Sequence, residues 1–160
     1  MLDGLGNIGD FLGGIGVVVT LAYLALQIRQ NTQSVRSAAL HSLSTSISEF
    51  MDKVAQDPAL TKLWFDGLSG SVQQSEEELR RFNLLLLSLV RRMENAFHQS
   101  RVGTLEDASW SGIRAGLIAV LSSPGAQSWW SWARDLFSAD FVEFAETTSD
   151  AEVDSSRSSA

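Results

Sequence analysis

The stretch Phe11–Gln27, FLGGIGVVVTLAYLALQ, decides the architecture. It carries no charge, and widening it to Ile8–Ile28 adds only Asp10. That is about 21 residues, or roughly 31 Å as a helix, against a bilayer hydrocarbon core of about 30 Å. Apolar side chains run all round the helix, with neither a polar stripe nor strand-like alternation, as a lipid-facing helix requires. The pattern predicts one transmembrane helix. A secretory signal fits poorly: Asp3 and Asp10 precede the stretch without any Lys or Arg, and no small-residue cleavage site follows in QIRQNTQ, residues 27–33. An interfacial helix would need a polar face, which is missing. The alternative is a soluble helical oligomer in which the Gly-rich helix is buried.

Basic residues give the expected orientation. None precedes the stretch, whereas Arg29 and Arg36 follow it closely. The positive-inside rule then leaves the N-terminus outside and the C-terminal domain in the cytoplasm. Gly6, Gly9, Gly13, Gly16 and Thr20 are spaced alternately by three and four residues and so share one helix face. Gly9 and Gly13 form a GxxxG pair, which lets two backbones approach closely where lipid removes the hydrophobic drive. Glycine is also common in membrane helices generally, so the face is a candidate for self-association or for docking on a larger membrane protein.

Helical periodicity continues beyond the span. Ile28, Val35, Ala39, Leu43, Ile47, Phe50 and Val54 recur at three- and four-residue steps, up to Gln56-Asp57-Pro58. One helix from about Ile8 to about Gln56 is therefore expected. Asp57 and Pro58 suit the start of a short helix to about Leu68, with Leu60, Leu63, Trp64 and Leu68 on one side and Gly67 and Gly70 at its end. Ser75-x-x-Glu78 is a capping box. It opens a helix whose core stripe is Leu79, Phe82, Leu86, Leu89, Val90, Met93 and Phe97, widened by Leu84, Leu85 and Leu87. This is the expected centre of a bundle. Further helices are expected from Thr104, with Asp107 completing a weaker box, from Ser123-Pro124, carrying Leu136 and Phe137, and from Ser138, with Phe141, Phe144 and Ala145 inward. The expected fold is all-α. Its parts are a tail and transmembrane helix over 1–28, a helical bundle over 29–147, and a disordered acidic, Ser-rich tail over 148–160.

Composition narrows the chemistry. There is no cysteine, which rules out disulfides, thiolate metal sites and cysteine nucleophiles. The net charge is −7, and after position 134 seven acids (Asp135, Asp140, Glu143, Glu146, Asp150, Glu152, Asp154) oppose only Arg157. Nucleic-acid binding needs a concentrated positive field and is not expected. Arg80, Arg81, Arg91 and Arg92 form two pairs on similar faces, but Glu76 and Glu77 sit one turn before the first pair. A solvated, salt-bridged face is the expectation there, rather than a phosphate stripe.

His41 and His98 are the only histidines. Asn83, Arg91, Glu94 and His98 fall on neighbouring edges of the central helix and form a candidate interior polar cluster. A Glu beside a His can be an acid–base pair or half of a metal site. Helical di-iron sites need several inward carboxylates and Glu-x-x-His motifs on two helices, and none is present. A hydrogen-bonded structural cluster is the expectation, with no metal, no cofactor and no catalytic residue assigned. Trp129, Trp130 and Trp132 cannot all face one way on a helix, so a core plus a partly exposed interface patch is expected. Neither a phosphate loop nor a nucleophile elbow occurs.

Leu24-Ala25-Leu26-Gln27-Ile28-Arg29-Gln30-Asn31-Thr32, after the Gly-rich helix, resembles a widespread family of short uncharacterised bacterial proteins. Ala55-Gln56-Asp57-Pro58, Leu63-Trp64, Gly67-Leu68, Arg81-Phe82, Glu94-Asn95, Ser123-Pro124-Gly125 and Trp129-Trp130 are similar to it too. The resemblance spans roughly Ile8 to Phe144. It implies a helical domain anchored in the bacterial inner membrane and no particular reaction. The expected role is a non-enzymatic interaction or scaffold protein, a homo-oligomer or an accessory subunit of a larger membrane complex. A small-ligand sensor or enzyme using the interior polar cluster is the alternative.

Overall fold

Ser75 opens the helix on which the bundle is built. Its hydroxyl accepts from the Glu78 backbone N–H, and the Glu78 carboxylate accepts from the Ser75 N–H at 2.8 Å, closing the expected box. Glu76 and Glu77 pair with Arg80 and Arg81 one turn on, all at the surface. In the computed structural model the backbone is described for residues 2–70 and 75–157, and the side-chain surroundings for 13–70 and 75–148. The helices are α1 (Leu2–Gln56), α2 (Pro58–Ser69), α3 (Glu76–Arg101), α4 (Asp107–Leu121), α5 (Pro124–Ala133) and α6 (Ala139–Arg157), with a 3-10 turn at Arg134–Leu136. No strand occurs among the described residues, and the fold is all-α.

The chain divides into two compact units, residues 1–38 and 39–160. The first is helical from Leu2, and every residue from Gly13 to Ala38 is exposed. Val17, Val18, Val19, Leu21, Leu26 and Ile28 are each at least 59 % exposed, a concentration of apolar surface that water-soluble helices avoid.

The second unit has one main core. Phe82, Leu86, Leu89, Val90, Met93 and Phe97 of α3 are all buried in it, joined by Phe50 and Val54 of α1, Leu63 and Trp64 of α2, Leu117 and Leu121 of α4, Trp129 of α5 and Phe141 of α6. Aromatic rings link the elements: Phe50 meets Trp64 edge-on at 5.5 Å, and Phe97 stacks on Phe144 at 5.0 Å. A smaller cluster holds Leu43, Ala96 and Leu105. Arg92 ties α3 to α1. Its Nε donates to the Ser46 carbonyl at 3.0 Å and the Ser46 hydroxyl at 2.9 Å, while its guanidinium lies 5.6 Å from the Phe50 ring centre.

Several expectations change here. Leu84 is exposed because it points to the side of α3 opposite the stripe, and Leu79, at the angle of the stripe, is exposed in the first turn of the helix. Thr104 does not cap α4: its hydroxyl donates to the Gln99 carbonyl, and α4 starts at Asp107 after Glu106 with no side-chain cap. The 3-10 turn ends α5 early, so Leu136 is exposed and Phe137 takes the buried place. The α6 backbone stays helical to Arg157, past Thr148, where composition predicts a disordered tail. Packing of Phe141 and Ala145 nucleates the helix, and each added residue then needs little further driving force.

Glycine sets the spacing between α2 and α5. A Cβ on Gly125 would lie 1.8 Å from the Gly67 carbonyl oxygen, and a Cβ on Gly67 would lie 2.3 Å from the Phe82 ring. Gly70, at φ 64°, closes α2 with its N–H donating to the Gly67 carbonyl at 3.2 Å. Gly116 on α4 has nothing within 4 Å of its Cβ position. Gly125→Ala should therefore destabilise the bundle by about 1–3 kcal/mol through overpacking against backbone. Gly116→Ala should stabilise it by about 0.5–1 kcal/mol through helix propensity. Urea unfolding of the full chain in detergent, followed by tryptophan fluorescence, measures both.

Candidate functional site

Spacings of three and four residues along the last turns of α3 bring Arg91, Glu94 and His98 to one edge, facing the start of α6. Glu94 is the one buried charged residue among those described. Its Oε1 accepts from the Ser138 backbone N–H at 2.8 Å, and its Oε2 accepts from Arg91 Nη1 at 2.6 Å. Arg91 Nη2 donates to the Leu136 carbonyl, and the guanidinium lies 4.6 Å from the centre of the Phe137 ring. His98 Nε2 is 3.1 Å from Ser138 Oγ and 4.0 Å from Glu94 Oε1.

Glu94 thus supplies from α3 the carboxylate that a capping box would supply within α6. The Ser138 carbonyl accepts from the N–H groups of Phe141 and Val142, so Ser138 sits at the N-cap position, and its own N–H is met by Glu94. A carboxylate there also faces the positive end of the helix dipole. Burial pushes the Glu94 carboxyl up, but the Ser138 N–H, the Arg91 guanidinium and the Ser138 hydroxyl together outweigh it and hold the group below the usual carboxylate range.

That arrangement is poorly suited to acid–base work. A general acid or base near neutrality needs a carboxyl pKa raised toward 7, and this one is lowered. Ser138, His98 and Glu94 do not form a nucleophilic triad either. Both Ser138 Oγ and Glu94 Oε1 approach the same ring nitrogen, Nε2, whereas a triad puts the acid on Nδ1. The cluster latches the 3-10 turn and the start of α6 onto α3.

Asn83 does not join this cluster. It lines a separate groove of about 320 Å³ with Asp66, Leu79, Phe82, Trp129 and Trp132. The three tryptophans divide as their helical angles require. Trp129 is buried, and its Nε1 has no partner among the described residues. Trp130 is half-buried, 5.4 Å from Phe137, while Trp132 is 54 % exposed at the groove. Of the Gly face, a Cβ at Gly13 or Gly16 would meet nothing within 4 Å, and the Thr20 hydroxyl donates back to the Gly16 carbonyl at 2.8 Å. Gly6 and Gly9 lie outside the residues whose surroundings are described. The α1 segment that begins at Gly13 is, among the described residues, the one long and apolar enough to cross a membrane.

Leu136, Phe137 and Ser138 escaped sequence reasoning as partners of Arg91 and Glu94. Ser138 carried the signal of a cap, but nothing local names a carboxylate on α3 as its complement.

Glu94→Gln should destabilise the bundle by about 1–3 kcal/mol near neutral pH, since a charge-assisted bond becomes a neutral one. The pH dependence has a defined sign. A carboxyl with a lowered folded pKa stabilises above its unfolded pKa of about 4.3 and stops doing so as pH falls through the folded value. Thermal unfolding from pH 7 to pH 3 should show a steeper acid loss for the natural chain than for Glu94→Gln. The slope left in the variant includes Glu78, whose carboxyl the Ser75 N–H and hydroxyl also hold low.

No family model matches the chain, and no similar curated protein or solved structure is found.

Proposed function

We propose that the protein is a membrane-anchored helical interaction or scaffold protein. Residues from about Ile8 to Ile28 would cross the bacterial inner membrane once, with the N-terminus outside and the bundle in the cytoplasm. The observation that carries this reading is the exposure of every side chain from Gly13 to Ile28 on a helix with no charge between Phe11 and Gln27. In water that surface would be unfavourable by about 25 cal/mol per Å² of apolar area, and acyl chains remove the penalty. Arg29 and Arg36 support the orientation.

A scaffold role has better support than a small-ligand sensor or an enzyme. The interior polar cluster is occupied in holding α6, with both Glu94 oxygens engaged. The features left for partners are the Gly face of α1 and the groove edged by Trp132. A homo-oligomer or an accessory subunit of a larger membrane complex fits both.

Membranes washed in alkaline carbonate should retain the full-length protein, and its recovery in the supernatant would remove the anchor. An alkaline phosphatase fused to the C-terminus should be inactive, since that enzyme needs export. Gly9→Leu with Gly13→Leu should lower the mass of the detergent-extracted assembly on a sizing column; an unchanged mass would dismiss the Gly face.

A further inference from the structure

Beyond the expected span, α1 continues to Ala38 with all sides exposed. Residues 29–38 read RQNTQSVRSA, rich in Gln, Asn, Thr and Ser, and the hydroxyls of Thr32 and Ser34 donate back to the carbonyls of Ile28 and Gln30. Ser, Thr and Asn are weaker helix formers than Gln or Arg, and the segment is helical as the uninterrupted middle of α1. Large apolar side chains that stay exposed on this otherwise polar stretch leave a narrow seam open to a partner.

Its pattern indicates which one. From 28 to 38 the large apolar side chains are Ile28 and Val35, seven residues apart, 67 % and 50 % exposed. Taking them as successive a positions of a heptad makes Leu21 the a position before and Leu24, Asn31 and Ala38 the d positions. The steps alternate three and four without a break across the end of the span. Ile28 and Val35 at a are β-branched, which together with Leu at d, as at Leu24, is the combination that favours two parallel strands.

We infer that α1 pairs in parallel with α1 of a second copy of this chain, along Leu21, Leu24, Ile28, Asn31, Val35 and Ala38. A second copy is favoured over another protein on three grounds. The flanking e and g positions are Ala25, Gln27, Thr32 and Ser34, all uncharged, so identical helices meet without repulsion, while Arg29 and Arg36 stand at b positions off the seam. Asn31 at a core position meets its twin's amide, whose donors and acceptor it complements, whereas an apolar partner would leave it unsatisfied. The partner must also be a helix that runs from the bilayer about 15 Å beyond it, as α1 itself does. The pairing takes its parallel sense from the anchored reading proposed above.

The chain lacks cysteine, so single substitutions report cleanly. In native membranes under mild copper-phenanthroline oxidation, Val35→Cys should yield a disulfide-linked dimer, and Gln33→Cys, on the far side at f, should stay at the 17.4 kDa monomer. Adding Asn31→Asp to Val35→Cys should abolish the dimer by opposing two carboxylates, and adding Asn31→Leu should preserve it. A monomeric Val35→Cys, or equal dimer from both cysteine variants, would overturn the pairing. Carbonate washing of the same membranes keeps the two ideas apart. Retained protein without the Val35→Cys dimer refutes the pairing alone, and released protein refutes the anchor while a seam-specific dimer still supports the pairing.

Discussion

Burial of one stripe of α3 is the constraint from which the bundle takes its shape. Phe82, Leu86, Leu89, Val90, Met93 and Phe97 offer an apolar face that turns with the helix, and α1, α2, α4, α5 and α6 each contribute buried side chains to the cluster around it. Each such side chain contributes about 1.5–3 kcal/mol when fully removed from water. The polar fittings then follow from where α3 has polar residues on the edges of that stripe. Arg92 on one edge reaches Ser46 of α1, and Arg91 and Glu94 on another reach the turn before α6.

The demands on α1 change along its length. Leu43, Phe50 and Val54 are buried in the bundle, whereas Gly13–Ala38 are exposed throughout. The Ser-rich stretch around Ser46 suits the first of these roles. Because Ser46 is small, the single Arg92 Nε–H is shared between its hydroxyl and its backbone carbonyl, which has a second lone pair to offer while still serving the helix. A long side chain at 46 would stand in that path.

Helix starts that rest on local chemistry were legible in the sequence. Asp57-Pro58 and the Ser75–Glu78 box behave as read, since a cap and its partner lie within three residues of each other. The α3 stripe was legible because its period is a property of one helix. Asn83 shows where such reasoning ends. It lies three turns before Glu94 at nearly the same angle, so it shares the face but sits about 16 Å away along the axis, beside α2 and α5 rather than α6. Angle predicts a face; the helix that covers it comes from tertiary packing. The extent of α5 differs for a related reason: the helix read as carrying Leu136 and Phe137 ends at Ala133 and tightens to a 3-10 turn over Arg134–Leu136.

The latch on α6 lies at that helix's beginning. Ser138 is gripped by Glu94, and the side chains that bury α6, Phe141 and Ala145, follow within two turns. These contacts are all made by residues up to Ala145. The hold on α6 is therefore encoded in its first two turns and in one edge of α3, so a change at Glu94, some forty residues upstream, reaches this helix as directly as a change within it.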